Sequence, residues 1–245
     1  MQVKAIGTVL LFFIFTNLCA TTSNLKAPQK PNITTKKEAF FSKQKMEELY
    51  KDLSGFGVAQ NEYETIRQNG GNPTYGEITY ESTENLFNIL KLTKNDVIYD
   101  LGSGVGKFII QAYLNTPVKK AVGVELSSTR IKRANEALAR LKAQNNLRKN
   151  ASIEFREDNF SNTDISDATV IYICSTCFSQ ELMKTIKDKM LTCKKGLQVA
   201  TLKTLPPDPN YRYIATYSLP MTWSNGSSVH IYKLEGLPVA LQSKS

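Results

Sequence analysis

The sequence predicts an α/β fold: a mainly parallel, seven-stranded sheet with helices on both faces, closed by an antiparallel hairpin. Three observations carry this expectation. From Ser82 onward, short apolar runs alternate with helical periodicity, the pattern of crossovers between parallel strands. The stretch Val97 to Lys107, Val-Ile-Tyr-Asp-Leu-Gly-Ser-Gly-Val-Gly-Lys, reads as a buried strand, a tight turn and a helix start. Tyr211 to Tyr217 and Val229 to Leu234 are both strand-like, and the short segment between them, with Asn225-Gly226, leaves no room for a crossover helix.

The first twenty residues stand apart. Lys4 precedes an apolar run from Ala5 through Phe15, and Ala20 follows Leu18-Cys19, so residues 1–20 fit a signal peptide for export to the periplasm or outside the cell. The run is short for a membrane span of about 20 residues. Cleavage would leave no stable membrane insertion, whereas an uncleaved segment would tether the protein to a membrane. Residues 21–37, rich in Thr, Asn, Lys and Pro, read as a linker. Residues 38–81 form an N-terminal extension: a helix through Leu53, then a Gly-, Asn- and Pro-rich loop to Tyr75-Gly76-Glu77. The α/β domain occupies 82–235, and 236–245 are a tail.

Within the domain, helices are expected at Ser82 to Leu92, Phe108 to Leu114, around Ile131 to Leu141, and Leu182 to Leu191. Strands are expected at Val97 to Asp100, Ala121 to Glu125, Ser152 to Phe155, Thr169 to Ile173 and Leu197 to Leu202, before the hairpin. Five alternating strands closed by a hairpin are the Rossmann-like layout of a class I methyltransferase.

Composition bounds the partners only loosely. A formal charge of +9 fits a solvated basic surface, and it also admits an acidic or polyanionic partner, nucleic acid included. After signal removal Cys174, Cys177 and Cys193 remain, an odd number without metal-ligand spacing; neither a disulfide framework nor zinc is expected, and no metal is assigned.

The glycine turn narrows the chemistry. A dinucleotide fingerprint would place its third glycine at 107, where Lys107 stands, and a P-loop would need a glycine at Leu101 and a hydroxyl residue at Phe108. What remains is an acidic strand end followed by Gly102, Gly104 and Gly106. Glycines there let a ligand approach the backbone, and the acid suits a cationic, amino-acid-like group; S-adenosylmethionine is the leading candidate. Ligands of such sheets bind beyond the carboxyl ends of the strands. Asp100 is placed for the ammonium or sulfonium, Glu125 for the ribose hydroxyls and Asp158 for the adenine amino group.

Tyr75-Gly76-Glu77, followed by Asp-Leu-Gly-Ser-Gly-Val-Gly at 100 to 106, resembles the Disruptor-of-telomeric-silencing (DOT-type) histone-lysine methyltransferases, over about Met46 to Leu234. The resemblance implies that the Tyr-Gly-Glu loop folds over the cofactor, with Glu77 at the methionine amino group and Tyr75 walling the site. It implies that Glu125 meets the ribose. It matches Asp158-Asn159 to an Asp-Phe pair beside the adenine, the aromatic displaced to Phe160. Phe178 and Trp223, the only tryptophan in the chain, would line the acceptor channel. The family's Asn-Asn-Phe-Ala-Phe after the fourth strand is here Cys174-Ser175-Thr176-Cys177-Phe178, so Cys174 replaces an asparagine that contacts the cofactor.

The function expected is therefore an S-adenosylmethionine-dependent N-methyltransferase acting on lysine of a protein, histone-like or otherwise basic, as an exported bacterial effector. Two other readings stay open: a methyltransferase for a small molecule or another side chain, and a cofactor-binding module that has lost transfer.

Overall fold

In the computed structural model, residues 43–236 are described; the expected signal, the linker, the start of the first helix and most of the tail lie outside them. Helix α1 covers 43–49, followed by α2 (Gln60–Gln68), α3 (Tyr80–Leu90), β1 (Val97–Leu101), α4 (Lys107–Asn115), β2 (Lys120–Glu125) and α5 (Ser128–Ala143). Then come β3 (Ser152–Glu157), β4 (Val170–Ile173), α6 (Gln180–Met190), β5 (Gln198–Thr201), β6 (Tyr211–Met221) and β7 (Ser224–Leu234).

The seven strands form one sheet in the order β3-β2-β1-β4-β5-β7-β6. β1 to β5 are parallel, and β7 runs antiparallel to both β5 and β6. All five residues of β1 are buried, as a strand covered on both faces requires. Leu86, Phe87, Ile109 and Tyr113 pack one face; Met183, Ile186 and Met190 pack the other. The order reverses between β1 and its neighbours β2 and β4, which opens a crevice at their carboxyl ends.

Two local expectations are corrected. The loop expected over 54–77 contains α2. Its sequence is almost wholly polar and buries only Glu62 and Ile66, so it offers no apolar stripe to a periodicity reading. Asn225-Gly226 is not the hairpin turn: it lies inside β7, and Thr222-Trp223 make the turn. Both hairpin strands extend beyond their apolar segments, with register shifts at Tyr213/Ala215 and Leu219/Met221.

Helix α5 turns three arginines toward the extension. Arg130 donates to the carbonyls of Gly55 (3.2 Å) and Pro73 (2.5 Å), and Arg133 to those of Ser54, Phe56 and Gly57. Arg140 donates to Leu49 and Lys51. These guanidiniums satisfy carbonyls of the extension between Leu49 and Pro73, a stretch that forms no strand.

Glu62 of α2 completes the clamp. Its buried carboxylate accepts from the hydroxyls of Ser127, Ser128 and Thr129 and from the Thr129 amide (3.0 Å), capping the start of α5. Burial alone would raise its pKa, but the hydrogen bonds from Ser127, Thr129 and Ser128 outweigh it and hold the carboxyl below its ordinary 4.5. A depressed folded pKa gives stability that is present above the unfolded value and lost as pH falls through the folded one. Glu62→Ala is expected to cost about 1–3 kcal/mol, read from urea unfolding at pH 7, with the difference from wild type shrinking below pH 4; an unchanged midpoint would contradict the clamp.

Candidate active site

The extension crosses the carboxyl ends of the strands and roofs a cavity of about 400 Å³. Its path is fixed at three places. Tyr75 packs between Gly55 and Gly104, with the Arg130 guanidinium 4.9 Å from its ring centre. On the far side, Asn159 donates to the Asn69 side chain at 2.7 Å and the Ser179 amide to the Gly70 carbonyl at 3.1 Å. The Tyr75-Gly76-Glu77 loop then joins the hairpin: Glu77 N donates to Thr222 Oγ1 (3.0 Å), Thr222 N donates to the Glu77 carbonyl (2.8 Å), and Ile78 bridges Met221. A Cβ on Gly76 would stand 2.3 Å from the Trp223 ring, so only glycine lets the indole lie on this loop.

The turn after β1 supplies the floor. Gly102 and Ser103 donate to the Val124 carbonyl, and the Gly104 amide donates to Glu125 Oε2 at 2.8 Å. Gly104 has φ +56°, and a Cβ there would meet the Tyr75 ring at 2.6 Å, so both its conformation and its neighbour demand glycine. Glu125 Oε1 accepts from the Ser127 amide at 2.9 Å. Each carboxylate oxygen keeps a second lone-pair site, enough for a pair of hydroxyls.

Asp100 is buried, and its Oδ1 has no partner; nor does the Ser103 hydroxyl. Burial, and then the negative Glu125, push the Asp100 pKa well above the ordinary aspartate value. Burial pushes the Cys174 thiol up to about 12, with Asp100 adding to the shift, so it remains a neutral SH. Glu77 accepts from the Tyr75 hydroxyl and pairs with Lys107 Nζ at 2.8 Å. A cavity floored by glycines, with an unpaired acid, a further carboxylate beside it and a buried hydroxyl to satisfy, fits a cationic amino-acid nucleoside such as S-adenosylmethionine. When bound, that molecule supplies an activated methyl on a sulfonium; Asp100 and Glu77 would face its ammonium and Glu125 its ribose.

Of the residues expected from the sequence, Tyr75, Gly76, Glu77, Asp100, Gly102, Gly104, Glu125, Asn159, Phe178 and Trp223 all line this cavity. Two do not. Gly106 sits behind it as the α4 cap, at φ +83°, with Phe155 packed where a Cβ would stand. Asp158 Oδ2 accepts from Thr163 Oγ1 at 2.6 Å, and the residue is outside the lining. Phe160 lines the cavity and stacks on Phe178 with ring centres 5.8 Å apart, so the displaced aromatic is at hand. Arg130 and Lys107 are also in the wall. Lys107 was legible only as the residue that breaks the dinucleotide fingerprint; nothing in the local sequence ties Arg130 to carbonyls 57 and 75 residues earlier.

The chain is similar to known methyltransferases. The family described as "Histone methylation protein DOT1" matches residues 67–234, more than half of the chain. A protein-lysine N-methyltransferase of Saccharolobus islandicus is 39% identical over 116 residues, covering 47% of this chain and 67% of that protein. An H3 lysine-79-specific histone-lysine N-methyltransferase of Caenorhabditis elegans is 30% identical over 140 residues; the match covers 54% of this chain and 15% of the nematode protein. Among solved structures, an RNA methyltransferase of Salinibacter ruber in complex with S-adenosyl-L-homocysteine aligns with TM-score 0.49 and 20% identity, over 65% of this chain and 94% of that one. The chain thus belongs to the DOT1 family of histone methylation proteins and is an S-adenosylmethionine-dependent methyltransferase.

Proposed function

We propose that the protein is a protein-lysine N-methyltransferase. The observation that carries this reading is the roof of the site, in which Trp223, at the hairpin turn, lies over Gly76 and faces a cavity also walled by Phe178 and Phe160. Methyl transfer to an amine needs alignment, exclusion of water and an uncharged nucleophile. An aromatic channel disfavours the ammonium form of an entering lysine and so delivers the neutral amine. The relatives above, named as protein- and histone-lysine methyltransferases, support a protein acceptor.

The test is transfer of labelled methyl from S-adenosylmethionine to core histones, to other basic proteins and to a small-molecule extract, with the product residue identified by mass spectrometry. Methyl-lysine in protein is the expected product. Label confined to small molecules would support the wider methyltransferase reading. Cofactor binding without transfer to any of these would favour a binding module. We further propose export directed by residues 1–20, with action after delivery to another cell. A mature chain that still begins at Met1 would contradict a cleaved signal.

A further inference from the structure

We propose that Cys174 and Cys177 are a site of reversible oxidation, whose disulfide closes the cleft to the cofactor and whose dithiol opens it. The inference does not depend on which acceptor is methylated; it needs only the cofactor assigned above.

The Cys174-x-x-Cys177 segment follows β4 and precedes α6, inside the β-α-β crossover to β5. Two intervening residues in that setting are the spacing of redox-active dithiols. Both cysteines line the cleft. Cys177 is exposed and Cys174 half-buried, whereas Cys193 is buried and donates to the Ile165 carbonyl at 3.1 Å. An oxidant therefore meets Cys177 directly and Cys193 only through unfolding.

The backbone here bends twice. The Ser175 amide donates to the Ile173 carbonyl at 2.9 Å, and the Phe178 amide to the Ser175 carbonyl at 3.0 Å. Cys174 sits in the first bend and Cys177 in the second. Burial raises the Cys174 thiol pKa, and Asp100 and then Cys177 add to it, which places the two cysteines close together. A disulfide spans Cα atoms about 4.4–6.8 Å apart, and a tight turn brings residues three apart to under about 7 Å.

The ends of the bend are anchored. Ser175 Oγ meets Thr201 Oγ1 at 2.8 Å and accepts from the Lys203 amide at 2.8 Å, while Lys203 Nζ donates to the Phe178 carbonyl. Between these anchors Thr176 and Cys177 form the tip. In the dithiol form the Phe178 ring packs 3.3 Å from where a Cβ on Gly102 would stand, and stacks on Phe160. Drawing Cys177 onto Cys174 pulls its neighbour Phe178 off the glycine floor. It also moves the Cys174 sulfur within the wall it shares with Asp100.

Glutathione disulfide serves as the oxidant. The Cys177 thiolate attacks one of its sulfurs and releases one glutathione. The Cys174 thiolate then attacks the Cys177 sulfur, breaks the mixed disulfide and releases the second. The two glutathione thiols carry away the two protons and two electrons that the cysteines lose. Under the export proposed above, an oxidising compartment would hold the cleft shut until a reducing cytosol reopened it.

The test treats the full chain with glutathione disulfide or with dithiothreitol. Mass spectrometry reads the tryptic peptide that carries both cysteines, and calorimetry reads affinity for S-adenosylmethionine. Oxidation is expected to remove two hydrogens from that peptide and to weaken binding by about tenfold or more. Dithiothreitol should restore both. Cys177→Ser should bind in the oxidant within about twofold of its own reduced value, and Cys193→Ser should switch as wild type does. A peptide that keeps both thiols, or that stops at a glutathione adduct, would overturn the proposal. So would a bridged chain that binds as tightly as the reduced one, or a Cys177→Ser variant that oxidation weakens equally.

Discussion

Asp100→Asn is expected to abolish cofactor binding and, at neutral pH, to make the protein more stable. The carboxylate is buried with one oxygen unpartnered, and burial together with Glu125 raises its pKa in the folded state. A group whose folded pKa lies above its unfolded value contributes stability that is full below the unfolded value, about 3.8, and is lost as pH rises through the folded one. At pH 7 the native protein therefore bears the cost of a buried acid that is harder to ionise than in the unfolded chain, a strain kept for the ligand's cation. Asparagine removes the charge at nearly constant volume. Relief of about 1 kcal/mol would raise the melting temperature by roughly 2–4 °C for a domain of this size. The gain should shrink as pH falls below the raised folded value toward about 3.8, where the unfolded chain takes up the proton as well. Affinity for S-adenosylmethionine should fall at least about 100-fold, as expected when a buried charge-assisted contact is lost. Melting curves across pH, paired with calorimetry, check both halves. A variant that loses affinity and stability together would mean that Asp100 supports the fold instead.

Gly76→Ala is expected to separate transfer from cofactor binding. Its new Cβ would lie 2.3–2.5 Å from the Trp223 ring, and the indole, which is half-exposed at a two-residue turn, has room to swing outward. Asp100, Glu125 and the glycine floor are untouched, so affinity for S-adenosylmethionine should change by less than about threefold. The acceptor channel loses its wall. Misplacement of about 1 Å near a reacting centre costs on the order of 100-fold in rate, and a loss of that size in kcat is expected. Global stability should hold, because the loop's backbone bonds to Thr222 do not involve the glycine side. Single-turnover transfer measured at saturating cofactor reads the effect directly. Unchanged transfer would remove Trp223 from the acceptor channel.

Much of this site is readable from the chain because its residues sit at predictable places on regular elements. Asp100 is the last residue but one of β1 and Glu125 the last of β2, whose apolar runs mark the strand ends, and the glycine turn declares itself by spacing. What escapes is set by long-range polar contacts. Helix α2 has almost no apolar face; its register is held by Glu62 capping a helix 65 residues away. Arg130, Arg133 and Arg140 look like a solvated stripe until the carbonyls of the extension are seen beneath them. Asn-Gly is a strong local turn signal, yet tertiary pairing of β6 with β7 carries the ladder to Met221 and Ser224. That shift of the turn from 225–226 to 222–223 puts Trp223 at the tip, against Gly76. Asp158 lies outside the lining, with the hydroxyl of Thr163, five residues on, donating to its carboxylate.

A crystal structure of the full chain with S-adenosyl-L-homocysteine is the most direct test of the cleft. The expected density places the ammonium at Asp100 and Glu77, the ribose diol on Glu125 and the adenine beside Asn159 and Phe160. A ligand bound elsewhere, or one seated in the cleft with Asp100 still unpartnered, would contradict it.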